Sequence, residues 1–551
     1  MTQTSTRALR GIAVAAAVSL VVACAARLNP SKPNFPLPET RAEATNYNQT
    51  STYADVIAFM NGLRSRNAPI AFGVIGKTTD GRDIPYMILS RPMVTTPEQA
   101  RALGRPIVYV NANIHAGEVE GKEALLALVR DLTYQHGPNV LDSLVLIAIP
   151  IYNADGNENF KDEAINRGEQ NGPALVGQRP NGQGLDLNRD YIKAEAPETR
   201  AALAMFDKWD PDVYVDLHTT DGSLHGFALT YSPSLNPASY APGFAGTLTR
   251  DTMLPEIRAR MHNRGYEIFD YGNFGSGYGR EALTDTVKNG WRTYEHLPRY
   301  GTNYYGIRGR ISILSEAYSH DPFKRRVAST YAFVQEILSA TARHSAEIER
   351  IRSTADNVQE REVPIRSQMT TKPFDAPIPF EVLQRTGDST RTQAGLTKGI
   401  RRTGRFITQV MPVYDRFEPT LLIEKPDAYI LPNDPKVIAL LKLHGLTVMP
   451  FLPQSSAGRV STFIVDSVVK SPRAFQGHNE TRITGAWSAP SASNMPSGNP
   501  EGYVIVDATG RFGPLAAYIL EPQSDDGLVD WNFLDADIKS GTPFPVTRLY
   551  K

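Results

Sequence analysis

The stretch Asn113-Ile114-His115-Ala116-Gly117-Glu118 stands between an apolar run, Pro106-Ile107-Val108-Tyr109-Val110, and a segment from Gly121 to Tyr134. The first run reads as a buried strand. The second carries Ala124, Leu125, Leu126, Leu128, Val129 and Leu132, a helical pattern. A histidine and a carboxylate separated by two residues at the end of a strand can share one metal ion. Whether the chain holds the remaining parts of such a centre has to be read from the segments on either side.

Strand and helix patterns alternate outward from that stretch. Thr52 to Leu63 places Tyr53, Val56, Ile57, Met60 and Leu63 at helical spacing, and Ile70–Gly76 and Ile84–Leu89 form short strands about the turn Thr79-Asp80-Gly81. Leu144–Pro150 is a near-continuous apolar run, as in a strand covered on both faces, and it ends in Asn153-Ala154-Asp155-Gly156. Pro197 and Glu198 open a helix that runs to about Trp209. Asp212–Leu217 is a strand ending at His218. Ile311–Leu314 is another, ending at Glu316, and a long helix follows from about Phe323 through Glu349. This alternation predicts an α/β fold with a mixed, mostly parallel sheet and flanking helices. Ligands bind such sheets beyond the carboxyl ends of the strands, so His115, Glu118, His218 and Glu316 are expected along one edge.

Two neutral imidazoles and one carboxylate are a donor set for a catalytic zinc ion, with a fourth position left for water. His115, Glu118 and His218 supply that set, which predicts one Zn2+ in this part of the chain. Zinc acidifies water and polarises a carbonyl. A carboxylate off the metal is then needed to take the water proton and pass it to the leaving amine, and Glu316 is the candidate. In Leu185-Asp186-Leu187-Asn188-Arg189-Asp190, Arg189 offers a planar fork and Asn188 an amide donor for a substrate carboxylate. Asp186 can orient a ligating histidine.

The ordered set His115-Ala-Gly-Glu118, Asn153-Ala-Asp-Gly156, Asp186-Leu-Asn188-Arg189, His218 and Glu316 resembles the zinc carboxypeptidase family, the carboxypeptidase A/B-like metallopeptidases, over roughly residues 51–346. The resemblance implies that His115, Glu118 and His218 bind zinc, that Asn188 and Arg189 hold the terminal carboxylate of a peptide, and that Glu316 is the general base. It also implies an arginine that polarises the scissile carbonyl. Arg167 and Arg179 both fit by position, and Arg167 lies nearer the family's distance from Gly156. For the family's mobile tyrosine, Tyr294 has the expected spacing before Glu316, with Tyr300, Tyr304 and Tyr305 crowding the same segment. No Gly-x-Ser-x-Gly elbow and no His-Glu-x-x-His pair occurs, which argues against a serine hydrolase of that kind and against the other common zinc-protease design.

The chain has 551 residues, enough for several domains, with 41% apolar and 21% charged residues, as in a folded body. Its 58 basic and 58 acidic side chains balance, so nothing electrostatic favours nucleic acid as a partner. The single cysteine excludes a disulfide framework and a thiolate zinc site. Arg7 and Arg10 precede the uncharged apolar run Gly11–Ala26, which reads as a secretory signal. Val21-Val22-Ala23-Cys24 resembles a bacterial lipobox. Residues 1–24 are therefore expected to be a signal peptide, Cys24 a lipidated anchor to the membrane, and 25–50 a tether. The mature protein is expected in the periplasm or at the cell surface.

Beyond the expected catalytic domain, 51–346, the proline-rich stretch 347–384 reads as a linker. Residues 385–551 read as an accessory region, α/β and β-sandwich-like. Strands are expected near Phe406–Val410, Leu421–Glu424, Ser461–Val469 and Gly502–Asp507, with a helix at Asp434–Leu446. The predicted function is zinc-dependent removal of a C-terminal residue from peptides. The alternatives are a related zinc amidohydrolase acting on cell-wall peptides or N-acyl amino acids, and an inactive binding or scaffold lipoprotein.

Overall fold

The computed structural model describes residues 36–275, 281–357, 361–387, 399–452, 458–492 and 500–551. The signal segment and Cys24 lie outside the described residues.

Eight strands form the central sheet in the order Ile70–Lys77, Asp83–Leu89, Val145–Ile149, Ile107–Ala112, Val213–Thr219, Ile311–Ala317, Leu229–Pro233, Ile268–Asp270. The four inner strands, from Val145–Ile149 to Ile311–Ala317, run parallel, and antiparallel pairs flank them. The sequence pattern follows from that placement. Inner strands are buried throughout because helices cover both faces, and every residue of Ile107–Ala112 and Val145–Ile149 is buried. The helices Glu120–Tyr134 and Phe323–Arg343 pack on one face. Pro197–Trp209 packs on the other, with a tyrosine-rich layer of Tyr109, Tyr191, Tyr214, Tyr304 and Tyr305.

Four expectations need correction. The tether reading ends early, because from Pro38 onward the chain is docked. A short helix, Arg41–Ala44, is closed by a capping box between Thr40 and Glu43, and Glu43 forms a fork-to-fork pair with Arg130 at 2.6 and 2.9 Å. Buried Glu123 accepts hydrogen bonds from Thr50 Oγ1 and the Ser51 amide. Polar partners rather than an apolar period order this segment, so periodicity could not reveal it.

The segment 347–384, read as a linker, holds most of the helix Ser345–Ala355 and the strands Glu362–Met369 and Phe374–Arg385. Phe374–Arg385 pairs with Ile400–Tyr414 at the edge of a four-stranded sheet, so Pro377 and Pro379 occupy an edge where a missing N–H can be tolerated. The long helix also divides at His344.

Of the region 385–551, Ile400–Tyr414 and Phe417–Glu424 join other sheets, and the described residues from Ala428 on form one six-stranded antiparallel sheet rather than a sandwich, in the order Val448–Pro450, Tyr503–Asp507, Ala428–Pro432, Pro543–Tyr550, Arg459–Lys470, Thr481–Trp487. Helices Pro435–Leu443 and Gly513–Leu520 take the place of a second sheet. Their side chains Leu440, Leu441 and Leu515 share one core with Ile192, Phe206, Trp209 and Tyr304 of the first region. His444 is a buried polar lock in that seam. Its Nδ1 accepts from the Tyr304 hydroxyl at 2.8 Å and its Nε2–H donates to the Ile192 carbonyl at 3.0 Å.

Candidate metal centre and active site

The strand Ile107–Ala112 runs out into Asn113, whose backbone is left-handed (φ 66°), a conformation asparagine tolerates better than most residues. Its amide donates to the carbonyls of Ala116 and Glu118, both at 3.3 Å, and closes the turn that presents His115 and Glu118. A Cβ on Gly117 would meet the Gly177 carbonyl oxygen at 2.8 Å, so the turn has room only for glycine. Asn153 ties this turn to the next loop, donating to the carbonyls of Ile114 and Arg179 while its own oxygen caps Gly156.

His115, Glu118 and His218 converge, all buried, with one donor atom of each within 4.8 Å of the others. Glu118 Oε1 lies 3.1 Å from His115 Nδ1, and Oε2 lies 2.9 Å from His218 Nδ1. The two Nδ1 atoms face each other at 3.2 Å. The outer nitrogens meet carboxylates, His115 Nε2 at 2.9 Å from Asp186 and His218 Nε2 at 3.0 Å from Asp216. A proton on each outer nitrogen leaves both inner lone pairs aimed at one point beside an anionic oxygen, the donor set that fits zinc. Burial opposes ionisation of Glu118, but His115, Arg167 and His218 outweigh it and hold the carboxyl well below its ordinary range.

The three ligands open onto a cavity of about 220 Å3, also lined by Arg167, Arg179, Asn188, Arg189, Tyr294 and Glu316. Every residue expected in the site thus reaches one place, except Asp186, which stands behind His115. Among the described residues the Glu316 carboxylate makes no hydrogen bond or ion pair, and it is buried in the cavity wall. Burial pushes it up to about 8, with His218 opposing and Glu118 and Asp221 adding to the rise. A divalent cation at the neighbouring ligands would pull it back down.

Asn188 and Arg189 lie on the single turn Leu187–Arg189, capped by Asp186, whose Oδ1 accepts from the Asn188 amide at 2.9 Å. The Asn188 side-chain oxygen accepts from the Gly301 amide at 2.9 Å, which directs its NH2 elsewhere. The Arg189 guanidinium lies 4.1 Å over the ring of Tyr300, and Tyr300, Tyr294 and Tyr271 meet edge to face in a row. Tyr294 is therefore part of a wall in this structure.

The two candidate arginines differ in their commitments. Arg167 is buried and donates to Glu118 at 3.0 Å and to the carbonyls of Thr219 and Thr220. Arg179 pairs with Asp186 at 2.9 Å, touches Glu118 at 3.4 Å, and keeps 38% of its side chain exposed.

Asp216, Tyr271, Asn273 and Asp221 were not singled out from the sequence. Asp216 could have been, since two residues before His218 on one strand is the same face. Tyr271 and Asp221 sit in loops and Asn273 in the two-residue strand Asn273–Phe274, and none of them carries a pattern.

Fold and site together define a mononuclear metallohydrolase centre at the carboxyl edge of a mixed α/β sheet. Residues 56–241 match the family model for zinc carboxypeptidases, and the chain carries a domain of that family, whose metal is zinc. Carboxypeptidase 2 of Trichophyton rubrum is 22% identical over 518 residues, spanning 89% of this chain and 85% of the relative. Such a span requires the C-terminal region as well. Carboxypeptidase D of Mus musculus is 26% identical over 40% of this chain and 17% of its own. Among solved structures, carboxypeptidase A from Helicoverpa armigera covers 54% of this chain and 74% of its own at 14% identity, with a TM-score of 0.39. The alternatives outside the metallocarboxypeptidases are not favoured.

Proposed function

We propose that the protein removes single C-terminal residues from peptides, with His115, Glu118 and His218 as zinc ligands and Glu316 as general base. The observation that carries this reading is the convergence of three ligands, one unpaired buried carboxylate and an arginine–asparagine pair on a single cavity. Bound zinc supplies Lewis acidity to water and to the carbonyl under attack. Arg189 and Asn188 pair with the terminal carboxylate, which fixes the last peptide bond beside Glu316. Glu316 takes the proton from attacking water and delivers it to the departing amine.

The carbonyl-polarising role falls to Arg179, which keeps 38% of its side chain exposed at the cavity, rather than to Arg167, which is buried against Glu118 and two backbone carbonyls. The terminal side chain rests against Tyr294, Tyr300, Thr302 and Leu314, an uncharged wall that suits neutral residues. Asp186 and Asp216 hold the tautomers of the ligating histidines. Tyr294 acts as part of the substrate wall.

Export, and lipid attachment at Cys24, belong to the same reading and rest on the basic-then-apolar leader. No described helix is long and apolar enough to cross a membrane. Labelling with a radioactive fatty acid, lost in Cys24→Ser, tests the anchor. For the activity, a chelator abolishes release of C-terminal residues and added zinc restores it. Purified protein that neither contains nor takes up zinc sinks the proposal.

A further inference from the structure

Among the described residues, the C-terminal region touches the zinc site through Gln476. Phe475 and His478 exchange backbone hydrogen bonds at 2.7 and 3.0 Å around Gln476 and Gly477, whose φ angles are 50° and 84°. Two positive φ values in a two-residue loop define the tight turn that favours asparagine and glycine. Gly477 suits it. Gln476 does not, since a long side chain at positive φ is held against its preference. The turn is clamped on both sides. His478 Nε2 meets Glu195 at 3.0 Å, and Arg299 lies over the Phe475 ring at 5.4 Å.

The disfavoured residue places its side-chain oxygen 2.9 Å from the backbone N–H of Asp186, which donates to it. Asp186 has three further duties. It meets His115 Nε2 at 2.9 Å, caps the turn that bears Asn188 and Arg189, and pairs with Arg179. We infer that Gln476 is a positioning residue of the zinc site: through Asp186 it fixes a metal ligand and the carboxylate clamp together. The inference rests on the zinc reading above. It makes the C-terminal region part of the catalytic apparatus, beyond its role in completing the core.

Simple docking of the turn onto the first region predicts a different outcome from positioning, and four proteins separate them. Gln476→Gly and Gln476→Asn suit the backbone of this turn, so both are expected to keep or raise Tm. Both lose the reach to Asp186. Gln476→Glu keeps an acceptor there. The readouts are the rate of zinc release to a chelator, kcat/KM on a peptide, and Tm, each against wild type. Loss of an outer partner of a ligating histidine costs about 10- to 100-fold in metal affinity or activity. Gln476 stands one bond further out, so the Gly and Asn variants should release zinc about tenfold faster and lose about tenfold in kcat/KM at unchanged Tm, with Glu recovering most of both. Zinc release and kcat/KM within twofold of wild type overturn the inference, as does a loss that tracks a fall in Tm. A wild-type protein that binds no zinc overturns the zinc reading instead.

Discussion

Glu316 is the register partner of His218 in the parallel pairing of Val213–Thr219 with Ile311–Ala317. The proposed base and a metal ligand are therefore held side by side by the backbone ladder of the central sheet, and their spacing does not depend on a loop. Glu316 can be altered without disturbing the ligands, because it hydrogen-bonds to none of them. Glu316→Gln should retain zinc in full while kcat/KM falls by about 10^3, within the range for loss of a general base. Metal analysis and initial rates on the same sample check this, and a variant keeping a tenth of the activity contradicts it.

Arg167 and Arg179 are expected to fail in different ways. Removing Arg167 leaves a buried carboxylate and two carbonyls without their donor. Arg167→Ala should lose about 3 kcal/mol of stability, as when a buried ion pair is broken from one side, and should bind zinc weakly. Arg179→Ala should keep its fold, yet lose about 10^2 in kcat, the cost of one donor to a developing oxyanion. Urea unfolding, zinc titration and steady-state rates distinguish them. Equal loss of stability in both variants would refute the division.

Acid sensitivity should trace partly to the seam at His444. Burial lowers His444 to about 3, and His225 likewise, from an ordinary value near 6.5. The unfolded chain takes up protons at these residues below about pH 6.5 and the folded protein does not. The stability they permit is complete above that pH and is lost as pH falls towards 3, by about 1.4 kcal/mol per pH unit for each histidine. The difference in unfolding free energy between wild type and His444→Gln should therefore shrink from pH 7.5 to pH 5. A constant difference would show that His444 does not carry the effect.

Truncation after Gln384 should leave no soluble enzyme. It strips cover from Ile192, Met205, Phe206, Trp209, Tyr304 and Tyr305, all in the shared core. Exposing six large apolar side chains costs on the order of 10 kcal/mol, comparable to the whole stability of a domain. Sedimentation of the fragment tests this, and a monodisperse active fragment would contradict it.

What the sequence revealed follows the physics of each part. Ile107–Val110, Leu144–Ile149, Val213–Leu217 and Ile311–Leu314 lie in inner strands, and their mainly apolar runs located both the sheet and the edge that carries His115, His218 and Glu316. Segments whose order comes from long-range polar partners gave no periodic signal. Glu43 docks through Arg130, and Gln476 reaches Asp186 across 290 positions. Prolines 377 and 379 looked like a linker because an edge strand and a linker tolerate proline for the same reason. The choice between Arg167 and Arg179 rested on spacing alone in the sequence. In the structure both guanidiniums line the cavity, and they differ in exposure, 7% for Arg167 against 38% for Arg179.

The sharpest single measurement uses two peptides of one sequence, one with a free C-terminal carboxylate and one amidated, incubated with the zinc-loaded protein and followed by mass spectrometry. With the proposed roles of Arg189 and Asn188, the free peptide should shorten by one residue at a time while the amide stays intact. Equal cleavage of both, or cuts at internal bonds, would show that the protein is not a carboxypeptidase.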